Sequence, residues 1–154
     1  MKTDLTSPER SEKLNRQFGR AWLVLALALA LHVTDEALTG FLNVYNPTVA
    51  AIRARVPWLP LPTFTFWPWL CGLVLAITIL LALSPRARLG SRWIVATGVP
   101  LSVIMIANGL GHIGGSFYMG RFMPGVYSSP ALIAASLFTL VLAVRLWRIQ
   151  HRTA

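Results

Sequence analysis

Three ionisable residues in one short stretch, His32, Asp35 and Glu36, have the residue types and spacing needed for chemistry. They lie inside an apolar run that begins at Ala21 and ends near Gly40. The chain has five acidic residues; the other three fall within the first twelve positions, and none follows Glu36. A charged side chain at bilayer depth costs about 2.5–3.5 kcal/mol on insertion scales, so such residues usually mark functional sites. The stretch therefore predicts metal binding or proton transfer, with a buried polar network that fixes helix packing as the structural alternative.

A second polar pair, Asn108 and His112, has the same helical spacing in a later apolar segment. Asn108 and His112 are four residues apart, as are His32 and Glu36, so each pair shares one helix face. At a rise of about 1.5 Å per residue, both pairs lie roughly 17–28 Å from the start of their segments. Both segments are expected to run outward through the membrane. The two pairs are thus predicted to meet at one depth, in the outer half of the bilayer.

The composition indicates a membrane protein rather than a soluble one. The chain has 154 residues, of which 55% are hydrophobic and 12% charged, against roughly 45–50% and about 25% in an average soluble domain. Its net charge of +9 does not indicate nucleic-acid binding, because the basic residues flank apolar segments and form no stripe with interleaved aromatics. The single cysteine, Cys71, excludes a disulfide within the chain and a metal site of paired thiolates.

Hydropathy predicts an all-α fold, a four-helix transmembrane bundle. Each apolar run is close to the ~20 residues that cross ~30 Å of hydrocarbon. The predicted spans are residues 21–39, 66–83, 93–113 and 131–147, forming one domain (21–147) between tails at 1–20 and 148–154. In the first outer loop, Asn46-Pro47 predicts the start of a short interfacial helix at Thr48. Cleavage of the first run as a secretory signal near Ala30 is disfavoured, because the lead carries three acids and apolarity continues beyond it.

The basic residues predict the orientation. Eleven of the 14 Lys and Arg residues lie in the two tails and the second loop, and the remaining three lie in the first and third loops. Because cytoplasmic loops carry the excess of Lys and Arg, both termini are expected in the cytoplasm. We therefore expect a multi-pass protein of the cell inner membrane.

The stretch His32-Val33-Thr34-Asp35-Glu36, together with Asn108-Gly109-Leu110-Gly111-His112, resembles the HXXEE family of small bacterial membrane proteins. That family is named for a His-x-x-Glu-Glu motif on its first helix and has a later Asn-x-x-x-His. The likeness covers roughly residues 25–145 and extends to Leu38-Thr39-Gly40-Phe41, Arg121-Phe122-Met123-Pro124-Gly125 and Pro130. Asp35 departs from the motif, since it is one methylene shorter than the Glu expected there. The resemblance implies the place of the site and the architecture around it.

Three functions fit these residues. The first is a metal-dependent, hydrolase-like enzyme in which His32, Glu36 and His112 hold zinc or iron, two ions suited to His and carboxylate ligands. In it Asp35 and Glu36 are the candidate catalytic carboxylates, Asp35 as base or fourth ligand, and Asn108 orients a lipid-like substrate. The second is metal-free proton transfer of an isomerase-like kind. The third is a non-catalytic module that carries metal or lipid. The residues leave open whether the chain is an enzyme and whether it forms a homo-oligomer.

Overall fold

The computed structural model describes residues 7–152, with side chains for residues 9–151. These residues form helices and no strand, as the all-α prediction requires. The helices are α1 (Ser7–Thr39), α2 (Leu42–Arg55), α3 (Phe66–Ala82), α4 (Ser84–Arg88), α5 (Arg92–Met119) and α6 (Ser129–Arg152).

Three of these helices are long and apolar enough to cross a membrane. By length and composition they are Glu9–Thr39 of α1, Arg92–Met119 of α5 and Ser129–His151 of α6. Helix α3 is also apolar but has 17 residues, which at about 1.5 Å per residue makes it roughly 26 Å long. Its bounds lie within one residue of the predicted span.

Helix α1 runs without interruption through the boundary drawn at residue 20, so the described part of the basic lead continues the first span. This lead is held against the short helix α4. A Cβ added to Gly19 would lie 2.6 Å from the Cα of Arg88, so only glycine permits the approach. Residues 1–6 and 153–154 of the predicted tails lie outside the described residues.

The predicted start of the helix in the first loop is wrong. Helix α2 begins at Leu42, directly after the turn at Gly40, and contains Pro47. The amide of Asn46 caps nothing; its Nδ2 donates to the carbonyl oxygen of Phe64 (2.8 Å) and its Oδ1 accepts from the Phe64 N–H (3.1 Å). Pro47 costs α2 one backbone hydrogen bond. The Asn-Pro signal was misleading because the asparagine is used to bind the following loop.

Helix α1 is the element around which the others pack. It contacts α3, α4 and α6, and α5 packs chiefly against α6. Near the start of α1 an apolar cluster includes Phe18, Trp22, Ile94 and Leu146. A second cluster, around Leu25, Leu29, Val33 and Leu132, continues toward its end. The polar residues singled out in the sequence lie beyond this second cluster.

Candidate metal centre

His32, Glu36 and His112 meet in one buried group, as the spacing and depth of the two pairs predict. The last two turns of α1 supply His32 and Glu36, and α5 supplies His112; their exposed fractions are 1%, 4% and 4%. Nε2 of His112 lies 3.0 Å from Oε1 of Glu36, and Nε2 of His32 lies 3.6 Å from the same oxygen. Among the described residues, the carboxylate of Glu36 has these two imidazoles within 4 Å and no Lys or Arg side chain.

The geometry of the three side chains fits a divalent metal. Ligands bound to a tetrahedral ion at about 2.0–2.1 Å lie about 3.3 Å apart, close to the two distances measured to Oε1. The ligand atoms of the group all lie within 4.8 Å of one another, so no pair has to close by more than about 1.5 Å. Nε2 of His32 is buried and has no hydrogen-bond partner among the described residues. A buried group could therefore hold a metal ion here.

Ser128 fixes the tautomer of His32. Its hydroxyl lies 2.9 Å from Nδ1 of His32 and 2.8 Å from Oδ2 of Asp35. A hydroxyl has one proton, and the carboxylate is a stronger acceptor than the carbonyl of Gly125 at 3.2 Å. The hydroxyl thus donates to Asp35 and accepts from Nδ1–H of His32. This assignment follows from the hydrogen-bond network and leaves Nε2 with the lone pair that faces Glu36.

Asp35 was expected as a base or a fourth metal ligand, but its carboxylate is hydrogen-bonded to Ser128. Its Oδ2 also accepts the backbone N–H of Ser128 at 2.9 Å, just before the first residue of α6. A carboxylate at a helix N-terminus is stabilised by the exposed N–H groups there. Asp35 lies outside the three-residue ligand group, and its catalytic role stays a prediction.

A glycine in the loop before α6 allows this loop to lie directly on the centre. Gly125 has a φ of +84°, a conformation that side chains disfavour. A Cβ there would lie 3.0 Å from Cγ of Glu36 and 3.0 Å from both Nδ1 and Cε1 of His112. The close approach and the backbone conformation both require glycine at this position.

Sequence reasoning missed Gly125 and Ser128 as site residues. The Pro124-Gly125 pair predicts a turn, and Ser128 before Ser129-Pro130 has the pattern of a helix start. Neither signal indicates that this turn lies against Glu36, which is about ninety residues earlier in the chain.

Asn108 lies one helical turn before His112 but is not a member of the ligand group. Its Oδ1 is buried and has no hydrogen-bond partner among the described residues, and the same is true of Nδ1 of His112. The orienting role expected for Asn108 stays a prediction.

Aromatic rings cover the other side of the centre. The rings of His32 and His112 meet edge to face at 4.8 Å, and the ring of Phe41 lies 5.5 Å from that of His112. Beyond Phe41 lies Trp69, at 5.9 Å between ring centres. A cavity of about 370 Å³ opens here, and Glu36 is the one member of the ligand group that lines it.

Comparison with known proteins gives no match, whether to a family model, to a curated protein or to a solved structure. The resemblance to the HXXEE family is therefore not tested by these comparisons. The functional argument rests on the chemistry of the site.

Proposed function

We propose that this chain is a four-span protein of the bacterial inner membrane and a member of the HXXEE family, with α3 as its fourth span. Length and composition support three crossings. The apolar character of α3 and its packing against α1 support a fourth. The concentration of Lys and Arg in the tails and second loop supports cytoplasmic termini.

The central proposal is that His32, Glu36 and His112 bind a divalent metal, zinc or iron. The observation that carries it is the convergence of two buried Nε2 atoms on one carboxylate oxygen, with Nε2 of His32 left unpaired. A buried carboxylate and an orphaned imidazole nitrogen are costly unless something compensates them. A cation between them satisfies both. For His32, Ser128 supplies the outer hydrogen bond that metal-binding histidines almost always have, and Asp35 in turn holds Ser128.

We propose that this centre belongs to a hydrolase-like enzyme acting on a lipid-like substrate. A divalent ion would supply Lewis-acid polarisation of a substrate carbonyl. Glu36, which reaches both the ligand group and the cavity, is the residue placed to hold or move a proton beside a substrate. The loop at Gly125 covers the centre, and Asn108 is proposed to orient the substrate.

One distance favours a second function, metal-free proton transfer. Nε2 of His112 and Oε1 of Glu36 are 3.0 Å apart, within hydrogen-bond range. A His–Glu pair at this distance can move a proton at an apolar substrate without a cation. In that function Glu36 and His112 are the acid–base pair.

Metal analysis of the detergent-purified protein separates the two functions. We expect about one equivalent of zinc or iron, lost in His32→Ala, His112→Ala and Glu36→Gln. The matched control is His151→Ala, because His151 is exposed and lies at the far end of α6. Folded protein without metal after zinc is offered would contradict the metal proposal and leave proton transfer. Metal that persists in all three site variants would also contradict it.

A further inference from the structure

The cavity beside Glu36 combines an apolar wall with a single ionisable side chain. It lies between the end of α1, the start of α2 and the start of α3, and has a volume of about 370 Å³. Its walls include the rings of Phe41, Phe64, Phe66 and Trp69. This size and lining are typical of sites for small apolar ligands.

The charges that line the cavity select against an anionic ligand. Glu36 is one of its lining residues, and no Lys or Arg is among them. A phosphate or carboxylate headgroup would be buried beside this carboxylate without a partner, which is costly. A cationic headgroup would be opposed whenever a divalent ion occupies the centre behind Glu36, since two neutral histidines and one carboxylate leave that centre positively charged.

The polar contacts available in the cavity suit an uncharged headgroup. Asn43 lines it with an exposed amide, whereas the amide of Asn46 is already bonded to the backbone of Phe64. Exposed Trp67 follows the lining residue Phe66 at the start of α3. Tryptophan rings accumulate at the level of lipid headgroups. A ligand with an apolar chain and a polar end could thus enter from the bilayer at this level.

We infer that this cavity binds an uncharged amphiphile, an ester or amide with an apolar chain or the alcohol that such an ester releases, and places its polar end beside Glu36. The inference rests on the proposed function for the identity of the site, and it adds the class of substrate. It excludes phosphorylated lipids and free fatty acids as preferred ligands of the metal-free protein, and amines as preferred ligands of the metal-loaded protein.

Photo-crosslinking of the full chain in detergent tests this preference. Three probes share one diazirine-bearing alkyl chain and differ in the headgroup: a primary alcohol, a carboxylic acid and a primary amine. We expect the alcohol to label the cavity walls, mapped by peptide mass spectrometry, about tenfold more than the acid in metal-stripped protein. In zinc-loaded protein we expect the alcohol to label them more than the amine.

Two variants and a control make the result specific. Ala37→Phe places a ring in the cavity and should reduce labelling by the alcohol about tenfold. Its control is Ala134→Phe, which adds the same ring to the apolar groove between α1 and α6 and should leave labelling of the cavity unchanged. Asn43→Lys tests the charge without disturbing the core, because Asn43 is exposed; it should raise labelling by the acid.

Each other outcome overturns the inference. Two of these concern the headgroup: equal labelling by the alcohol and the acid in metal-stripped protein, and stronger labelling by the amine than by the alcohol in zinc-loaded protein. The other two concern the place of binding: no effect of Ala37→Phe in protein that still folds, and crosslinks confined to the α1–α6 groove. The metal proposal is judged separately by metal content. If the protein binds no metal but still prefers the alcohol to the acid, the metal proposal fails and the cavity assignment stands. If the protein binds zinc but shows no such preference, the cavity assignment fails and the metal proposal stands.

Discussion

The two ends of the bundle involve the same helices, but apolar side chains are buried at one end and polar side chains at the other. At one end, α1, α5 and α6 meet through Phe18, Ile94 and Leu146, side chains that are at most 1% exposed. At the other end, α1, α5 and the residue before α6 meet through His32, His112 and Ser128, which are polar and are 1%, 4% and 5% exposed. The first end shows that these helices can pack through apolar side chains. The buried polar residues of the other end are the basis of the proposed metal centre.

The largest effect is expected from Glu36→Gln, which keeps the shape of the side chain and removes its charge. Loss of the one carboxylate in the group should reduce zinc affinity by roughly 100-fold or more, since each ligand contributes several kcal/mol of charge stabilisation. The measurement is competition with a chelating dye. In the metal-free protein the thermal unfolding midpoint should stay the same or rise, because a buried charge is removed. Unchanged zinc affinity would assign the metal to another place.

Replacing a glycine with alanine adds a Cβ at a closely packed position, and the effect should differ between the two ends of the bundle. Gly125→Ala forces a Cβ to within 3.0 Å of Glu36 and His112 and should weaken zinc binding by about 10- to 100-fold. Gly19→Ala, at the apolar end, should instead lower the free energy of unfolding by roughly 1–3 kcal/mol through overpacking against Arg88 and leave zinc affinity intact.

The matched control is Gly111→Ala, because nothing lies within 4 Å of a Cβ at that position on α5. It should leave zinc affinity unchanged and raise the free energy of unfolding by at most about 1 kcal/mol, the difference in helix propensity between alanine and glycine. Equal loss of zinc affinity in Gly19→Ala and Gly125→Ala would mean that the two ends are coupled, contrary to the comparison.

Ser128→Ala tests the hydrogen bond that orients His32. Loss of such an outer partner typically reduces metal affinity by about 10- to 100-fold, and Ser128→Thr should restore most of it because the hydroxyl is kept. Ser136→Ala is the control, since this buried serine donates to the carbonyl of Leu132 within α6. Nitrogen-15 NMR of His32 in the metal-free protein adds a readout specific to the role: its fixed Nδ1–H tautomer should be lost in Ser128→Ala. A retained tautomer would overturn this role for Ser128.

The smallest effect is expected at the apolar end from Trp22→Phe. The indole N–H of Trp22 donates to the carbonyl of Leu80 at 2.8 Å, so loss of this bond and of part of a buried ring should reduce the free energy of unfolding by roughly 1–2 kcal/mol. Zinc affinity should not change. A matching fall in zinc affinity would show that packing at this end controls the centre.

The sequence was sufficient for features that depend on periodicity. Hydropathy predicts the bounds of α3 within a residue, and helical spacing with a constant rise places His32 and Glu36 opposite His112. Both succeed because a regular helix converts sequence distance into direction and depth.

Features that depend on how loops fold back were not predictable in this way. The partner of Asp35 is Ser128, 93 residues later in the chain, and only the path of the loop before α6 brings them together. The start of α2 was missed for the same reason, because the amide of Asn46 bonds to Phe64 instead of capping a helix. An asparagine or aspartate side chain can hydrogen-bond either to a nearby helix end or to a distant loop, and the local sequence does not indicate which of the two it does.

The most direct test of the account is X-ray absorption at the zinc edge of the zinc-loaded, full-length protein. We predict two imidazole nitrogens and carboxylate oxygen at about 2.0–2.1 Å, and no sulfur at about 2.3 Å. His112→Ala should lose the bound zinc and with it this spectrum, and the spectrum of His151→Ala should match that of the unaltered chain. A sulfur shell from Cys71, or a first shell without histidine, would contradict a centre formed by His32, Glu36 and His112.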